Sequence, residues 1–164
     1  MAKTLLIVWH STTGGARQMA EAAAEGACRE GGVTVVLKPA SDAGPDDVLA
    51  ADGYVFACPE NLAAIAGVMK AFFDRCYYPA LGRIEGRSYV TLVCAGTDGT
   101  NAVRQIERIA TGWRLKPAAE PRIVLTHADT SEAILAPKVI GPDDLEACRD
   151  MGHALAAGLA MGIV

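Results

Sequence analysis

Aromatic side chains are scarce in this chain: they make up 5% of its 164 residues, although 51% of the residues are hydrophobic. Small and aliphatic side chains must therefore fill most of the interior, as they do when helices cover both faces of a parallel sheet. A chain of this length buries a substantial core without disulfides or metals, so we expect a single domain.

Runs of lysine or arginine are also missing. The formal net charge is −4, so a surface that binds nucleic acid or an anionic membrane is not expected. No stretch approaches the length of a membrane span, and the apolar segment that follows residues 1–3 is too short for a signal peptide. The sequence predicts a cytoplasmic protein without a nucleic-acid or membrane partner.

Cysteine pairs with the spacing of a redox or zinc motif are absent. The chain has an odd number of cysteines with no Cys-x-x-Cys pair, namely Cys28, Cys58, Cys76, Cys94 and Cys148. A disulfide framework and a metal site are therefore not predicted. Cys58 and Cys94 end predicted strands, and we interpret both as small buried hydrophobic side chains.

The chain does contain a strict alternation of β-rich and helical segments, which predicts βαβ units. The predicted strands span residues 4–9, 33–37, 53–58, 88–94 and 122–126. The predicted helices span residues 14–30, 45–51, 63–78 and 100–112, and a last one starts at about residue 142. Right-handed crossovers give a three-layer α/β/α sandwich with a five-stranded parallel sheet. The connection 127–141 has no assigned structure and is a lid, an interface element or a surface loop.

The connection between the first strand and the first helix is rich in groups that bind phosphate. Residues 11–16 bring three hydroxyls and two glycines to the C-terminal end of a central strand. Hydroxyls donate to phosphate oxygens, glycines let backbone N–H groups approach closely, and the start of a helix favours an anion. The alternative interpretation is a helix cap followed by a plain turn. Arg17 either assists a phosphate or is solvated.

Other phosphate-binding loops do not match this segment. It lacks the lysine of a Walker A loop and the Gly-x-Gly-x-x-Gly of a dinucleotide-binding fold. It has no cysteine to serve as a phosphatase nucleophile. His10 stands at the end of the strand, where a response-regulator domain would carry a carboxylate.

The pattern Ser11-x-Thr13-Gly14-x-Ala16 resembles the Ser/Thr-x-Thr-Gly-x-Thr/Ala phosphate loop of the flavodoxin family. The resemblance extends to the order of elements over nearly the whole chain. It implies a flavodoxin-like sheet of order 2-1-3-4-5, with FMN bound where strands one and three diverge. It also implies that residues 1–164 form a single flavodoxin-like FMN-binding domain.

A second motif follows the third strand. Pro59, Lys70, Phe72 and Asp74 resemble the Pro-(x)10-Lys-x-Phe-x-Asp pattern of NAD(P)H-dependent flavin reductases and WrbA-type quinone oxidoreductases. In that family the loop after the proline borders the isoalloxazine ring, which implies that residues 59–63 lie at the flavin. Lys70 and Asp74 also have the i,i+4 spacing of a helix ion pair, so their role is either structural or catalytic.

This second loop departs from the family pattern at Glu60, Asn61 and Leu62. It has no aromatic side chain to stack on the flavin, and it lacks the glycine whose peptide flips in electron-carrying flavodoxins. Asn61 is a partial substitute because asparagine tolerates the left-handed conformation. An open ring face suits a two-electron enzyme, since a nicotinamide or quinone must stack on the flavin.

A third loop, residues 95–100, follows the fourth strand and resembles the third flavin-contacting loop of the family. The same residues are typical of an ordinary turn into a helix. Because the three loops follow strands one, three and four, we expect them to converge on one edge of the sheet. His127 follows the fifth strand at the same edge and is interpreted as a surface residue.

The predicted cofactor-binding residues all come from these three loops. They are Ser11, Thr12, Thr13, Gly14, Gly15, Ala16, Pro59, Glu60, Asn61, Leu62, Ala63, Ala95, Gly96, Thr97, Asp98 and Gly99. No residue is assigned as a catalytic acid or base or as a metal ligand.

Together these features predict an FMN-dependent oxidoreductase. NADH or NADPH would reduce the flavin, which would pass electrons to a quinone, free flavin or another small acceptor. One alternative is a flavodoxin-type carrier of single electrons between proteins, which the modest net charge disfavours. Another is a non-catalytic flavodoxin-like binding module. The resemblance also implies a homodimer or tetramer, because relatives with a two-electron flavin commonly complete the site with a neighbouring subunit.

Overall fold

The computed structural model describes residues 1–164 and has a sheet of apolar strands at its centre. The strands are β1 (Lys3–Trp9), β2 (Val33–Pro39), β3 (Gly53–Asn61), β4 (Ala64–Ile65), β5 (Ser88–Ala95), β6 (Lys116–Pro117) and β7 (Arg122–Leu125). The helices are α1 (Gly15–Ala27), α2 (Pro45–Ala50), α3 (Gly67–Ala80), α4 (Thr100–Gly112), α5 (Ser131–Leu135) and α6 (Pro142–Met161). The middle strands β1, β3 and β5 are the most buried, because helices cover them on both faces.

The parallel strands run in the order β2-β1-β3-β5, and both β6 and β7 pair with the outer edge of β5. The predicted order 2-1-3-4-5 is therefore confirmed, with β5 and β7 as the predicted fourth and fifth strands. The short strands β4 and β6 and the short helix α5 were not predicted. Since β1, β3 and β5 are parallel neighbours, the loops that follow them lie at the same edge of the sheet.

The sheet separates two cores of different character. The core under α3 and α4 holds most of the few aromatic residues, where Phe56 of β3 contacts Phe73 and Phe73 contacts Trp113. The core under α1 and α6 consists of aliphatic and small side chains, with many alanines. The core that lacks aromatic side chains is thus the one under α1 and α6, on one face of the sheet.

Helices α1 and α6 pack with their backbones in direct contact. A Cβ on Gly26 of α1 would overlap the carbonyl of Arg149, and a Cβ on Gly152 of α6 would overlap the carbonyl of Ala23. No side chain therefore separates the two helices at these points. This contact fixes the position of α1, which begins directly after the first loop.

Two predicted boundaries were wrong near the second loop. β3 continues to Asn61 instead of ending at residue 58, and the helix predicted from residue 63 begins only at Gly67. The chain between them turns back, so that β4 pairs with β3 as an antiparallel hairpin, with Ile65 opposite Glu60. Ile65 is buried in this hairpin, as it would be on an apolar helix face, so apolar spacing alone did not separate the two structures.

None of the six helices is both long enough and apolar enough to cross a membrane.

Candidate functional site

The first loop is a tight turn at the C-terminal edge of the sheet. The Ser11 hydroxyl accepts a hydrogen bond from the Gly14 N–H at 3.0 Å. Gly14 has φ +96°, a conformation that residues with a side chain rarely adopt. Its carbonyl then accepts the Gln18 N–H at 3.2 Å, which starts the hydrogen-bond ladder of α1. The glycine and the hydroxyl together set the direction in which the chain enters the helix.

Several backbone N–H groups of this loop have no acceptor within the protein. The amides of Thr12, Thr13, Gly15 and Ala16 take part in none of the hydrogen bonds of the chain. The positive end of the α1 dipole lies at the same place, and N–H groups at a helix N-terminus bind phosphate. The loop therefore fits the phosphate of FMN, since it offers unpaired donors where that anion would bind.

Gly15 is needed for packing, not for backbone conformation. A Cβ on Gly15 would lie 2.5 Å from the sulfur of Cys94, the second-last residue of β5, which faces the same core. Burial raises the pKa of the Cys94 thiol, although the charge of Lys138 opposes this shift. Cys94 therefore acts as a buried neutral side chain that supports the first loop, as the sequence suggested.

The connection between β7 and α6, residues 127–141, packs on the first loop. The Gln18 side chain donates to the carbonyl of Lys138 at 2.7 Å and accepts the N–H of Ile140 at 3.0 Å. The N–H of Lys138 donates to the Thr13 carbonyl at 2.8 Å. The Gln18 side-chain amide thus both donates and accepts, as the backbone of a neighbouring strand would. In this way it attaches the connection to the first turn of α1.

The Lys138 ammonium group organises this connection from within. It donates to the carbonyls of Ala133, Ile134 and Ala136 at 2.6–3.0 Å, which are acceptors at the end of α5. Its three N–H bonds are therefore all used by the protein. The connection that the sequence left without structure therefore contains a short helix, whose final carbonyls are capped by Lys138.

Arg17 and His10 flank the first loop. Arg17 pairs with Glu21 at 2.7 Å, and its guanidinium lies 5.7 Å from the centre of the Trp9 ring. Burial lowers the pKa of His10, which keeps this imidazole neutral at pH 7. Neither side chain adds a free positive charge to the loop, so the groups that the loop offers to an anion are its backbone N–H groups and its hydroxyls.

The second loop is the turn of the β3–β4 hairpin. Leu62 and Ala63 form this turn with φ of +50° and +59°, the signs required by a type I′ hairpin turn. Asn61, the residue that the sequence offered as a partial substitute for a flipping glycine, does not form this turn, because it pairs with Ala64 inside the hairpin. The Leu62 side chain is fully exposed at the tip.

Side chains at the start of α4 hold the hairpin in place. Glu60 accepts the N–H of Gly99 at 3.0 Å and that of Ala102 at 3.4 Å, so its carboxylate caps α4. Asn101 donates to the carbonyl of Ala63, on the hairpin turn. Gln105 accepts the N–H of Ile65 at 2.8 Å. These hydrogen bonds connect the second loop to the third.

The third loop, after β5, is shaped by contacts with the rest of the protein. Gly96 passes against Ala128, where a Cβ would lie 2.9 Å from the carbonyl oxygen. Gly99 has φ +89° and packs on Ile123. The N–H groups of Thr97 and Asp98 have no acceptor in the protein. This loop therefore also presents free backbone donors at the edge of the sheet.

The remaining residues that the sequence singled out lie in surroundings that indicate a structural role. Lys70 and Asp74 form the i,i+4 ion pair at 2.6 Å, and both side chains are half-exposed or more. Burial raises the pKa of Cys58 to about 12. The backbone of His127, with φ +57°, donates to the Gly96 carbonyl at 2.8 Å. No group of three or more His, Cys, Asp or Glu side chains is placed to hold a metal ion.

The structure brings the three predicted loops together at one edge, and it adds residues that the sequence analysis did not single out. Gln18 joins the first loop to residues 138–140, and both Asn101 and Gln105 hold the hairpin, each through its side-chain amide. All three lie on helices, and none of them belongs to a sequence motif. Their position on the first two turns after a special loop is the one feature that sets them apart in the sequence.

Comparison with known proteins agrees with this geometry. Residues 18–129 match the sequence model of the NADPH-dependent FMN reductase family. A flavodoxin from Aquifex aeolicus is 29% identical over 169 residues, which cover 96% of this chain and 87% of that protein. An NAD(P)H dehydrogenase (quinone) from Acidithiobacillus ferrooxidans is 32% identical over 91 residues, or 43% of this chain and 46% of that protein.

A solved structure shares the whole architecture. The WrbA-like flavodoxin protein from Agrobacterium tumefaciens superimposes with a TM-score of 0.72 at 20% identity, over 99% of this chain and 100% of that one. This likeness shows a flavodoxin-like fold. The family match covers more than half of the chain, so the chain belongs to the NADPH-dependent FMN reductase family and is an FMN-binding flavoprotein oxidoreductase.

Proposed function

We propose that this chain is an NAD(P)H-dependent oxidoreductase that holds FMN across the three loops of one domain, residues 1–164, in the cytoplasm. The observation that carries the proposal is the first loop, where backbone N–H groups lack an acceptor at the start of α1. A phosphate group satisfies such donors and is favoured by the helix dipole.

In this proposal each loop holds a different part of the cofactor. The phosphate lies at residues 11–16, where Ser11 and Thr13 supply hydroxyl groups. The isoalloxazine ring lies between residues 59–63 of the hairpin and residues 95–99 of the third loop. The free N–H groups of Thr97 and Asp98 suit the polar edge of the ring.

Bound FMN would supply the redox chemistry, taking electrons from NADH or NADPH and passing them to a quinone, free flavin or another small acceptor. The protein's own residues bind and orient. No aromatic side chain stands in the hairpin turn or the third loop, so one face of the ring stays open to a substrate. No side chain at this edge is required as an acid or a base.

The first experiment is an absorption spectrum and an FMN titration of the purified chain. We expect flavin bands, and we expect Ser11→Ala with Thr13→Ala to weaken FMN binding by roughly 1.5–3 kcal/mol for each hydrogen bond lost to the charged phosphate. Unchanged affinity in the double variant would place the phosphate elsewhere. A colourless protein that ignores added FMN would contradict the proposal as a whole.

An electron-carrier role is the second candidate, because the Aquifex aeolicus flavodoxin matches over almost the full chain. Anaerobic mixing of the FMN-loaded protein with NADH or NADPH separates the two functions. Rapid bleaching of the flavin supports a reductase. Slow bleaching together with a stable one-electron-reduced flavin on stepwise titration supports a carrier.

The natural acceptor and the assembly also belong to this proposal. We propose a small-molecule acceptor, and a homodimer or tetramer in which a neighbouring subunit completes the open face of the ring. Steady-state assays with an uncharged naphthoquinone and with free FMN, and the mass of the protein in solution, test these two points separately.

A further inference from the structure

A groove of about 640 Å3 lies outside the three loops, between the hairpin, the first turn of α3 and one face of α4. Its volume is in the range of small-molecule binding sites. Its apolar residues are Ala64, Ile65 and Ile109, and its positively charged residues are Lys70, Arg104 and Arg108. The apolar residues are the more buried of the two groups, while the arginines reach toward solvent.

Two of these cations have no partner in the protein. Arg104 and Arg108 lie one turn apart on α4, and neither guanidinium donates to any carboxylate or carbonyl, whereas Arg122 pairs with Asp144. Like charges at i,i+4 on a helix repel each other. An anion between Arg104 and Arg108 would remove this repulsion.

The charge of the groove is also opposite in sign to the net charge of the whole chain. Lys70 is the only groove cation with an anionic partner, Asp74, at 2.6 Å. The groove therefore carries a net positive charge on a protein whose formal net charge is −4. A cleft of one sign with an apolar floor concentrates ligands of the opposite sign.

The groove shares a wall with the proposed ring site. Asn101 and Gln105 line the groove, and their amides hold the hairpin at Ala63 of the turn and Ile65 of β4. A molecule in the groove would touch the same hairpin that borders the flavin in the proposed function. The groove is therefore placed next to the redox site but does not overlap its loops.

We propose that this groove is a second binding site, which takes a flat aromatic molecule through an anionic group held by Arg104 and Arg108. The apolar floor suits the aromatic body, and the paired guanidinium forks suit a phosphate, sulfonate or carboxylate. Two sources share this chemistry: the phosphorylated adenosine of a nucleotide, and an anionic quinone. The adjacency to the flavin rests on the proposed function, whereas anion binding by the groove does not.

The test is calorimetric titration of the full chain, with and without FMN, using 2′,5′-ADP and 1,4-naphthoquinone-2-sulfonate as probes. We expect at least one probe to bind, and Arg104→Gln with Arg108→Gln to weaken it by about tenfold or more for each arginine. Binding should also fall as salt rises. Binding of the ADP probe alone assigns the groove to a nucleotide, and binding of the sulfonate alone assigns it to a quinone.

The matched control is Arg83→Gln, because Arg83 is another exposed arginine whose guanidinium has no partner, and it lies outside the groove. An equal loss in this variant would overturn the proposal, as would the absence of binding by either probe. So would a wild-type dimer that the Arg104 and Arg108 changes dissociate, because the groove would then be a contact between copies. A chain that binds the probes but not FMN would overturn the proposed function and leave this site standing.

Discussion

The two ends of the proposed flavin site are built by different means. At the phosphate end, residues 11–16 leave backbone donors free, and a glycine with φ +96° carries the turn. At the ring end, Leu62 and Ala63 carry a turn that normally favours Asn and Gly, and three side chains tie the hairpin to α4. The phosphate end is thus specified by its own sequence, and the ring end by tertiary contacts.

This difference separates binding from reactivity. At the phosphate loop the free donors come from the turn itself and from the start of α1, and the distant contacts of this loop only hold that turn in place. The ring end depends on the fit between the hairpin and α4, where a change of one side chain alters the surroundings of the flavin. We therefore expect substitutions at the ring end to alter the reactivity of the flavin, whereas FMN affinity should depend mainly on the phosphate end.

The largest effect is expected for Gly15→Ala at the phosphate end. The new Cβ would clash with the Cys94 sulfur, and overpacking of this kind costs roughly 1–3 kcal/mol. We expect FMN affinity to fall about tenfold to a hundredfold in a fluorescence-quenching titration. The double variant with Cys94→Ala should regain most of the affinity, since the sulfur is gone. Failure of this rescue would show that Gly15 is required for another reason.

A variant pair at Gln18 and Gln105 compares the two ends directly. Gln18→Met removes the amide that fastens residues 138–140 to the first loop, and we expect FMN binding to weaken by about 1 kcal/mol, or roughly fivefold. Riboflavin, which lacks the phosphate, should bind as before. Gln105→Met loosens the hairpin and should weaken FMN and riboflavin equally. Equal losses of both ligands in Gln18→Met would erase the distinction between the ends.

Ala63→Gly tests the strain at the ring end. A left-handed non-glycine residue costs about 1–2 kcal/mol, and the extra freedom of glycine in the unfolded chain offsets about 0.4–1 kcal/mol of this. The net gain predicts a Tm higher by about 2–4 °C in thermal unfolding. Ala64→Gly, one residue later in β4, should lower Tm instead. A lower Tm in both variants would mean that the turn is not strained.

The smallest effect concerns the cysteines. Burial raises the pKa of Cys58 to about 12 and that of Cys148 to about 11, so neither forms a thiolate at neutral pH. Only Cys28 is exposed. A colorimetric thiol titration of the folded protein should therefore show one fast-reacting thiol per chain. Modification of that thiol should leave the stability of the protein unchanged. A second fast thiol at Cys94 would show that the first loop opens in solution.

The fold and the position of the hydroxyl- and glycine-rich loop between β1 and α1 were predictable because their signals are local. Strands β1, β3 and β5 are largely apolar, and the run of hydroxyls and glycines between β1 and α1 interrupts this pattern clearly. The hairpin was not predictable in the same way. Leu62 and Ala63 give no turn signal, and Ile65 continues the apolar spacing of α3, so a helix was expected there.

The side chains that hold the loops in place could not be predicted from sequence patterns, for a different reason. Gln18 bonds to a residue 120 positions away, and Gln105 to one 40 positions away. A polar helix residue that faces solvent looks the same as one that faces a loop until the tertiary structure is known. Sequence patterns therefore located the three loops, but not the side chains that hold them in place.

The glycine contact between α1 and α6 has a consequence for the order of events during synthesis. The first loop lies near the start of the sequence, yet the helix that carries its donors is seated by Gly26 and Gly152 against the last helix of the sequence. Until α6 has left the ribosome, α1 lacks the surface on which it rests. We therefore expect the cofactor to be acquired only after α6 has been synthesised, however early the phosphate loop itself emerges.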